Sequence, residues 1–106
     1  MPKYLLSVSY TSEGVKGLLK DGGSKRKAAA QSLIQSVGGK LESLYFAFGS
    51  NDVLAIVDMP DSTSAAAASL ALGASGAVTS TTTVLLTPEE IDQASKKSAS
   101  YTPPGR

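Results

Sequence analysis

Residues 41–59 read LESLYFAFGSNDVLAIVDM, and this stretch decides the fold of the chain. Its two apolar segments, residues 41–48 and 53–59, are separated by Gly49-Ser50-Asn51-Asp52. These four residue types are typical of tight turns, because they tolerate a positive φ or hydrogen-bond to their own backbone. The stretch therefore predicts a β-hairpin in which the Asp52 carboxylate accepts backbone N–H groups of the turn.

Helix and strand signals alternate before this hairpin. Residues 4–10 alternate with the period of a β-strand, and Thr11 is a suitable N-cap for a short helix. Ser24 is a suitable N-cap for a second helix over residues 25–37, where apolar side chains recur at helical spacing. The sequence therefore predicts one strand and two helices ahead of the hairpin.

The same alternation continues after the hairpin. An Ala-rich helix starts near Ser62, and a strand over residues 77–86 is rich in Thr. Thr87-Pro88-Glu89-Glu90 combines a cap, Pro at the first helical position and Glu at the third, which predicts a last helix that reaches about Lys97.

This order predicts an α+β fold of the ferredoxin-like β-α-β-β-α-β plan, with a four-stranded antiparallel sheet and an extra C-terminal helix. The length of 106 residues fits one domain, which we place at residues 1–97. Residues 98–106 contain two Pro and a Gly, and we predict that they form a flexible tail.

Both faces of the two hairpin strands are apolar. The first strand carries Leu44, Phe46 and Phe48 on one side and Leu41, Tyr45 and Ala47 on the other. The second strand carries Leu54 and Ile56 on one side and Val53, Ala55, Val57 and Met59 on the other. Because the crossover helices of this plan cover only one face, something else must cover the other. We predict a homodimer or a higher oligomer, so the chain is its own first partner.

The composition excludes several kinds of site. The chain contains no Cys and no His, which excludes disulfides, thiolate nucleophiles, Ser-His-Asp triads and the usual zinc or haem ligands. We predict no metal site and no cofactor, whereas chemistry that uses carboxylate, Lys or Tyr groups remains open.

The near-neutral net charge of +1 hides a separation of charges along the chain. Residues 1–40 contain seven cations and two anions, whereas residues 41–95 contain seven anions and no Lys or Arg. A nucleic-acid-binding domain usually has an overall basic excess, so we predict no nucleic-acid partner. The fold either mixes the two charges on one surface, or the basic and acidic surfaces meet in an oligomer.

No apolar run approaches the roughly 18 residues that a membrane span needs. The short apolar stretch at the N-terminus is typical of a strand and lacks the form of a signal peptide. We therefore expect no membrane partner and a cytoplasmic location.

Several short segments fall in the order and spacing of a known family, among them Pro2-Lys3-Tyr4-Leu5, Val37-Gly38-Gly39-Lys40-Leu41, Gly49-Ser50-Asn51-Asp52-Val53 and Ala55-Ile56-Val57-Asp58-Met59-Pro60-Asp61. On these segments the chain resembles the bacterial GYD domain proteins, which are related to the dimeric α+β barrel proteins. The resemblance implies a fold of the dimeric α+β barrel type and no generally established activity. Asn51 stands where the eponymous Tyr is usual, so no role of that Tyr passes to this chain.

Two groups of charged residues are candidates for chemistry. Lys25 and Arg26 lie in the first turn of a predicted helix, where cations and free N–H groups together favour an anion; the alternative is that they pair with acidic residues. Asp58 ends an apolar strand, where a desolvated carboxylate has a raised pKa and can act as a general base. Its alternative is a position at the rim of the sheet, wet or paired with a Lys.

Polar strand residues provide weaker candidates. Tyr10 and Tyr45, with Ser7 and Ser9, can point polar atoms into a cleft beside the sheet, although aromatic side chains on strands more often belong to the core. Asp52 is also a candidate binding residue, although a turn-forming role fits its position better.

Two functions follow from these candidates. The first is an oligomeric module that binds a small anionic or aromatic ligand, or that serves structure and assembly. The alternative is a cofactor-free enzyme of the isomerase or oxygenase type that acts on a small aromatic or keto acid. In that alternative Asp58 is the base, and Tyr10 or Tyr45 orients the substrate.

Overall fold

A computed structural model describes all residues 1–106 of the chain. It contains four strands and four helices: β1 (Lys3–Tyr10), α1 (Ser12–Asp21), α2 (Gly23–Ser36), β2 (Lys40–Phe46), β3 (Val53–Asp58), α3 (Ser62–Ala74), β4 (Val78–Leu85) and α4 (Pro88–Ser95). None of the four helices combines the length and the hydropathy that a bilayer-spanning helix requires.

The four strands form one antiparallel sheet in the order β2-β3-β1-β4. Helix α2 packs against β2, α3 packs against β4, and α1 packs against α2 and β1. This arrangement confirms the predicted ferredoxin-like α+β fold with an additional C-terminal helix. The Thr-rich strand β4 lies at an edge of the sheet.

The core lies between one face of the sheet and the helices. Alternate residues of β1 and β3 point into it, and the register sets Tyr4 beside Val57 and Leu6 beside Ala55. The helices contribute Ile34, Ala65 and Ala68 to the same cluster. We call this side of the sheet the covered face, and the other side the open face.

The helix starts follow the predicted caps in two of three cases. The Thr11 hydroxyl accepts the N–H of Gly14, and Thr87 forms a complete capping box with Glu90. The predicted cap at Ser24 is wrong, because α2 begins at Gly23, two residues earlier than predicted, with Gly22 in the cap position and no side-chain cap. Gly22 has φ of 83°, which lets α2 follow α1 after a single residue.

Strand β2 differs from the prediction in its faces. The pairing with β3 shifts by one residue between Leu41 and Ser43, which is a β-bulge. Because of this shift, Leu41 and Leu44 both pack against the core of the covered face. The prediction that Leu41 shares a face with Tyr45 is therefore wrong, and the strand ends at Phe46 instead of Phe48.

Helix α4 extends from the body of the protein. None of its residues is buried, and no helix or strand follows Ser95. The radius of gyration is 16.7 Å with extents of 56 × 32 × 23 Å, whereas a compact chain of this length has about 13 Å. The C-terminal part of the chain is an extension beyond the packed α+β body.

Candidate functional site

A cavity of about 310 Å³ lies between the covered face of the sheet, helix α2 and the C-terminal end of α3. Nineteen residues line it, of which 17 are hydrophobic. The sheet provides residues such as Leu6 and Val8, and the helices provide Ala30, Leu33 and Ala71. Small Ala side chains on the helices leave this space, since a larger residue in their place would project into it.

Arg26 is the only charged residue that lines the cavity. Its position in the first turns of α2 brings its Nη1 within 3.4 Å of the Asp21 carboxylate. One contact of this length uses little of a guanidinium that carries five N–H donors. Arg26 is therefore able to bind an anion at the cavity while it keeps its contact with Asp21.

Lys25 lies beside Arg26 but does not line the cavity. Its ammonium is 3.7 Å from the same Asp21 carboxylate, and 74% of its side chain is exposed. An exposed pair of this kind contributes little to stability. The structure thus separates the two predicted anion ligands: Arg26 faces the cavity, and Lys25 faces solvent.

Asp58 lies on the open face, away from the cavity. Its carboxylate is 2.8 Å from the Lys3 ammonium, which also contacts Glu42 at 2.6 Å. The hydrogen bonds that the Lys3 ammonium donates, the one to Asp58 first and the one to Glu42 second, raise the pKa of Lys3 above its ordinary value. The three side chains form what we call the ion cluster, and in it Asp58 is paired with a Lys, as one of the two sequence interpretations expected.

Tyr10 and Tyr45 lie on opposite faces of the sheet. Tyr10 packs against the core and lines the cavity, whereas Tyr45 pairs with Leu54 on the open face and is 71% exposed. The Ser9 hydroxyl contacts Ser50 and Asn51 of the hairpin loop. The proposed common cleft for these residues is therefore wrong, because the alternation of strand residues separates them.

Asp52 connects the hairpin loop to the end of β1. Its carboxylate accepts the backbone N–H of Tyr10 at 2.7 Å, and its own N–H donates to the Val8 carbonyl at 2.8 Å. The Ala47 N–H donates to the Asp52 carbonyl at 2.8 Å. The Asp52 carboxylate is thus a backbone acceptor, as predicted, but the N–H that it binds belongs to β1 and not to the turn. Asp52 also lines a second surface cleft, described below.

The residues for metal binding are sparse in this structure. The ion cluster holds two carboxylates, and no group of three or more acidic, His or Cys side chains lies together anywhere in the chain. The geometry around the cavity is that of an apolar binding site with one cation, in a ferredoxin-like fold whose other sheet face is open.

The family model described as the GYD domain matches residues 4–95. The chain belongs to the GYD domain family. Comparisons with curated proteins and with solved structures give no significant match. The matched residues include all four helices and all four strands of this GYD domain except Lys3, the first residue of β1. The cavity lies within the match, and of the ion cluster Glu42 and Asp58 do.

Sequence reasoning expected a cleft beside the sheet, but apart from Arg26 and Tyr10 it identified none of the residues that line the cavity of this GYD domain as site residues. The apolar stripe of α2 indicated a core-facing helix, and nothing in it distinguished filled core from empty space. The available signal is the small size of Ala30 on α2 and Ala71 on α3, since both line the cavity. Only their placement opposite each other, which the fold decides, turns small residues into a pocket.

Proposed function

We propose that this GYD domain protein is a small-ligand-binding module. Its ligand is an amphipathic carboxylate with an apolar body, aliphatic or aromatic, held in the cavity with the carboxylate on Arg26. The observation that carries this proposal is the cavity itself, about 310 Å³ in volume, hydrophobic in 17 of its 19 lining residues and charged only at Arg26.

The volume and chemistry of the cavity support this ligand class. Pockets for small molecules have volumes of about 300–1,000 Å³ and are mostly apolar, with few polar groups that fix orientation. An apolar body removes the lining side chains from water, which contributes about 25 cal/mol per Å² of buried apolar surface. A ligand that is polar throughout would leave its groups without partners in this lining.

Arg26 supports the assignment of an anionic head group. Arg and a carboxylate form two parallel N–H···O bonds, which are stronger than bonds between neutral groups. The existing contact with Asp21 holds the guanidinium near the cavity. A bound carboxylate would thus meet a side chain that is already oriented.

Calorimetry and thermal shift with octanoate and with octanol test this proposal. We expect octanoate to bind and to raise the melting temperature, and octanol to bind about tenfold more weakly because it lacks the charge. Arg26→Gln should remove the preference for octanoate. Lys27→Gln is the matched control, since Lys27 is an exposed cation of the same helix that does not line the cavity.

The results that contradict the proposal are equally specific. Equal affinity for octanoate in wild type and Arg26→Gln would show that Arg26 does not hold the head group. Absence of binding by octanoate, octanol and benzoate alike would refute a ligand cavity of this chemistry.

A second candidate function, self-assembly, is favoured by the open face. Leu54 is exposed there, its cross-strand neighbour Tyr45 is 71% exposed, and Leu5 and Ile56 are only half-buried. An apolar surface of this kind on the middle of a sheet is typical of an interface. We propose that two copies of the chain pair through this face.

Light scattering with matched variants tests this pairing. We expect a dimer for wild type at micromolar concentration and about tenfold weaker association for Leu54→Lys, because two such lysines would lie in one apolar interface. Leu70→Lys on α3 is the control, since Leu70 is 74% exposed on the helix side. A monomeric wild type, or a Leu54→Lys variant that associates as tightly as wild type, would contradict pairing through the open face.

The cofactor-free enzyme is not the function that the geometry favours. Its proposed base, Asp58, is held by Lys3 on the open face, whereas the cavity and Tyr10 lie on the covered face. A substrate in the cavity would be separated from Asp58 by the sheet.

A further inference from the structure

Helix α4 is well defined by its sequence but uncovered in the structure. It has eight residues, starts with Pro88 and carries a complete capping box of Thr87 and Glu90. Nevertheless none of its residues is buried, and the apolar side chains of Leu86 and Ile91 are 55% and 51% exposed. The capping residues therefore define this helix, but no other part of the chain buries it.

A helix this short needs a packing partner. Isolated helices below about 12–15 residues are marginal in water, and most helices in proteins are stabilised by burial of an apolar face. The partner surface of α4 must offer apolar contact for Ile91. It must also tolerate Glu89, Glu90 and Asp92, since the helix carries three carboxylates and no cation.

One surface of the chain has both properties. A cleft of about 330 Å³ lies where the start of α2 meets the hairpin loop, and it is lined mainly by apolar residues that include Val15, Leu18, Phe46 and Phe48. The Phe48 side chain is fully exposed to solvent. We call this surface the corner cleft.

The helices that border the corner cleft carry a net positive charge, whereas the one charged residue that lines the cleft is Asp52. Residues 12–27 carry five cations and two carboxylates. Lys20 and Lys27 are exposed and take part in none of the ion pairs of the structure. The Asp52 carboxylate already accepts the Tyr10 N–H. An acidic helix with an apolar side chain therefore finds an apolar lining and a net basic border here.

The corner cleft of the same chain is out of reach of Ile91. Strand β4 ends at Leu85 beside Lys3, whereas the cleft lies at the other end of β1 beside Tyr10. These two ends of the eight-residue strand are about 23 Å apart. The two connecting residues and the first turn of α4 together span only about 13 Å.

We infer that α4 of one copy of the chain docks in the corner cleft of a second copy. Ile91 packs among the exposed apolar side chains of the cleft, and the acidic side chains face Lys20 and Lys27. In a two-fold dimer the exchange is reciprocal, so each copy gives one helix and receives one. This inference shares with the second proposed function only its need for a second copy, and it names a different surface.

Cross-linking of single-cysteine variants tests the inference, since the chain has no Cys of its own. Tagged Ile91→Cys and untagged Phe48→Cys chains are mixed and treated with a short bismaleimide. We expect a cross-linked pair of one tagged and one untagged chain. Leu70→Cys, which is exposed on α3, replaces Phe48→Cys as the control and should give no such pair.

Charge reversal adds a test that does not depend on the cross-linker. The variant Glu89→Lys/Asp92→Lys and the variant Lys20→Glu/Lys27→Glu should each associate about tenfold more weakly than wild type, because like charges then face each other. A mixture of the two variants should recover association, since α4 of one variant and the corner cleft of the other again carry opposite charges. Circular dichroism verifies that each variant is folded.

The outcomes separate this inference from pairing through the open face. A wild-type dimer without any link between positions 48 and 91 refutes the docked helix and leaves the open-face pairing intact. A link that forms within one chain of the Phe48→Cys/Ile91→Cys variant refutes the exchange between copies. Charge-reversed variants that associate as wild type does, alone and mixed, refute the electrostatic match.

Discussion

The two faces of the sheet are built by the same strands but differ in burial and in charge. On the covered face, Val57 is fully buried among apolar side chains and no buried polar or charged residue is present. On the open face, its neighbour Ile56 is half-buried and the ion cluster joins three charged side chains. One face therefore stabilises the fold of a single chain, whereas the other retains surface that a second molecule can use.

The crossover connections explain why the two faces differ. Right-handed crossovers place α2 and α3 on the same side of the sheet, and no other element of the chain is large enough to cover the opposite side. Helix α4 does not cover it either, because none of its residues is buried. The open face is thus a consequence of topology and not of poor packing.

The largest expected difference in unfolding free energy is between two variants that each introduce a carboxylate, one on each face of the sheet. Val57→Asp would place an unpaired carboxylate in the core, at a cost of more than about 4 kcal/mol, which unfolds a domain of ordinary stability. Ile56→Asp places the same group one residue away on the open face, where water reaches it. Urea unfolding followed by circular dichroism measures both free energies.

The open-face variant has its own expected result. Ile56→Asp should fold with a loss of about 1 kcal/mol or less and should associate more weakly than wild type. If Val57→Asp and Ile56→Asp were destabilised equally, the division into a covered and an open face would be wrong.

Glycine substitutions test how tightly the covered face is closed at one end. A Cβ at Gly39 would lie 2.6 Å from the Met59 sulfur and 2.7 Å from the Asp58 carbonyl, so Gly39→Ala should cost about 1–3 kcal/mol. Gly17→Ala is the control, because nothing lies within 4 Å of its Cβ and α1 gains about 0.5–1 kcal/mol from Ala. Thermal unfolding should therefore shift in opposite directions, and a neutral Gly39→Ala would contradict close packing there.

Local signals made much of the fold predictable. Thr87-Pro88 and Glu90 fixed the start of α4, and the polar loop after β2 predicted the hairpin. The bulge in β2 was not predictable, because the apolar pattern over residues 41–48 allows a regular alternation equally well. Its position depends on pairing with β3, which is a tertiary effect.

Filling the cavity should change stability by a smaller amount and in the other direction. Ala30→Leu adds three carbon atoms where the structure has empty apolar space, and we expect a gain of about 1 kcal/mol together with the loss of octanoate binding. Ala68→Leu is the matched control, since Ala68 is fully buried and does not line the cavity. It should lose about 1–3 kcal/mol through overpacking.

One result with the two Ala variants would contradict the presence of a ligand-binding cavity. If Ala30→Leu destabilised the protein as much as Ala68→Leu, the space between α2 and the sheet would be too small for a ligand. Calorimetric melting of both variants, with and without octanoate, separates these possibilities.

The candidate site was predictable only in part, for a reason that concerns distance along the chain. Arg26 was identified from its local position in α2, but its neighbours in the cavity come from strands and from α3. Asp58 was identified from its strand, but its partner Lys3 lies 55 residues away. Local sequence indicates which residue types are unusual, whereas strand register decides which of them meet.

The ion cluster on the open face gives the smallest expected effect, and its pH dependence has a definite sign. The pKa of Lys3 is raised in the folded protein by its hydrogen bonds to Asp58 and Glu42. A raised pKa means that folding favours the protonated ammonium, so its contribution is fully present below the pKa of the unfolded chain. The contribution is lost as the pH rises through the higher pKa of the folded state.

The difference in unfolding free energy between wild type and Lys3→Met should therefore be constant between about pH 7 and pH 9 and should shrink at higher pH. Lys16→Met, which removes an exposed pair with Glu13 on α1, should show almost no difference at any pH. Because the cluster lies at the rim of the open face, a difference that instead grew above pH 10 would show that Lys3 is not held in its charged form by these two carboxylates.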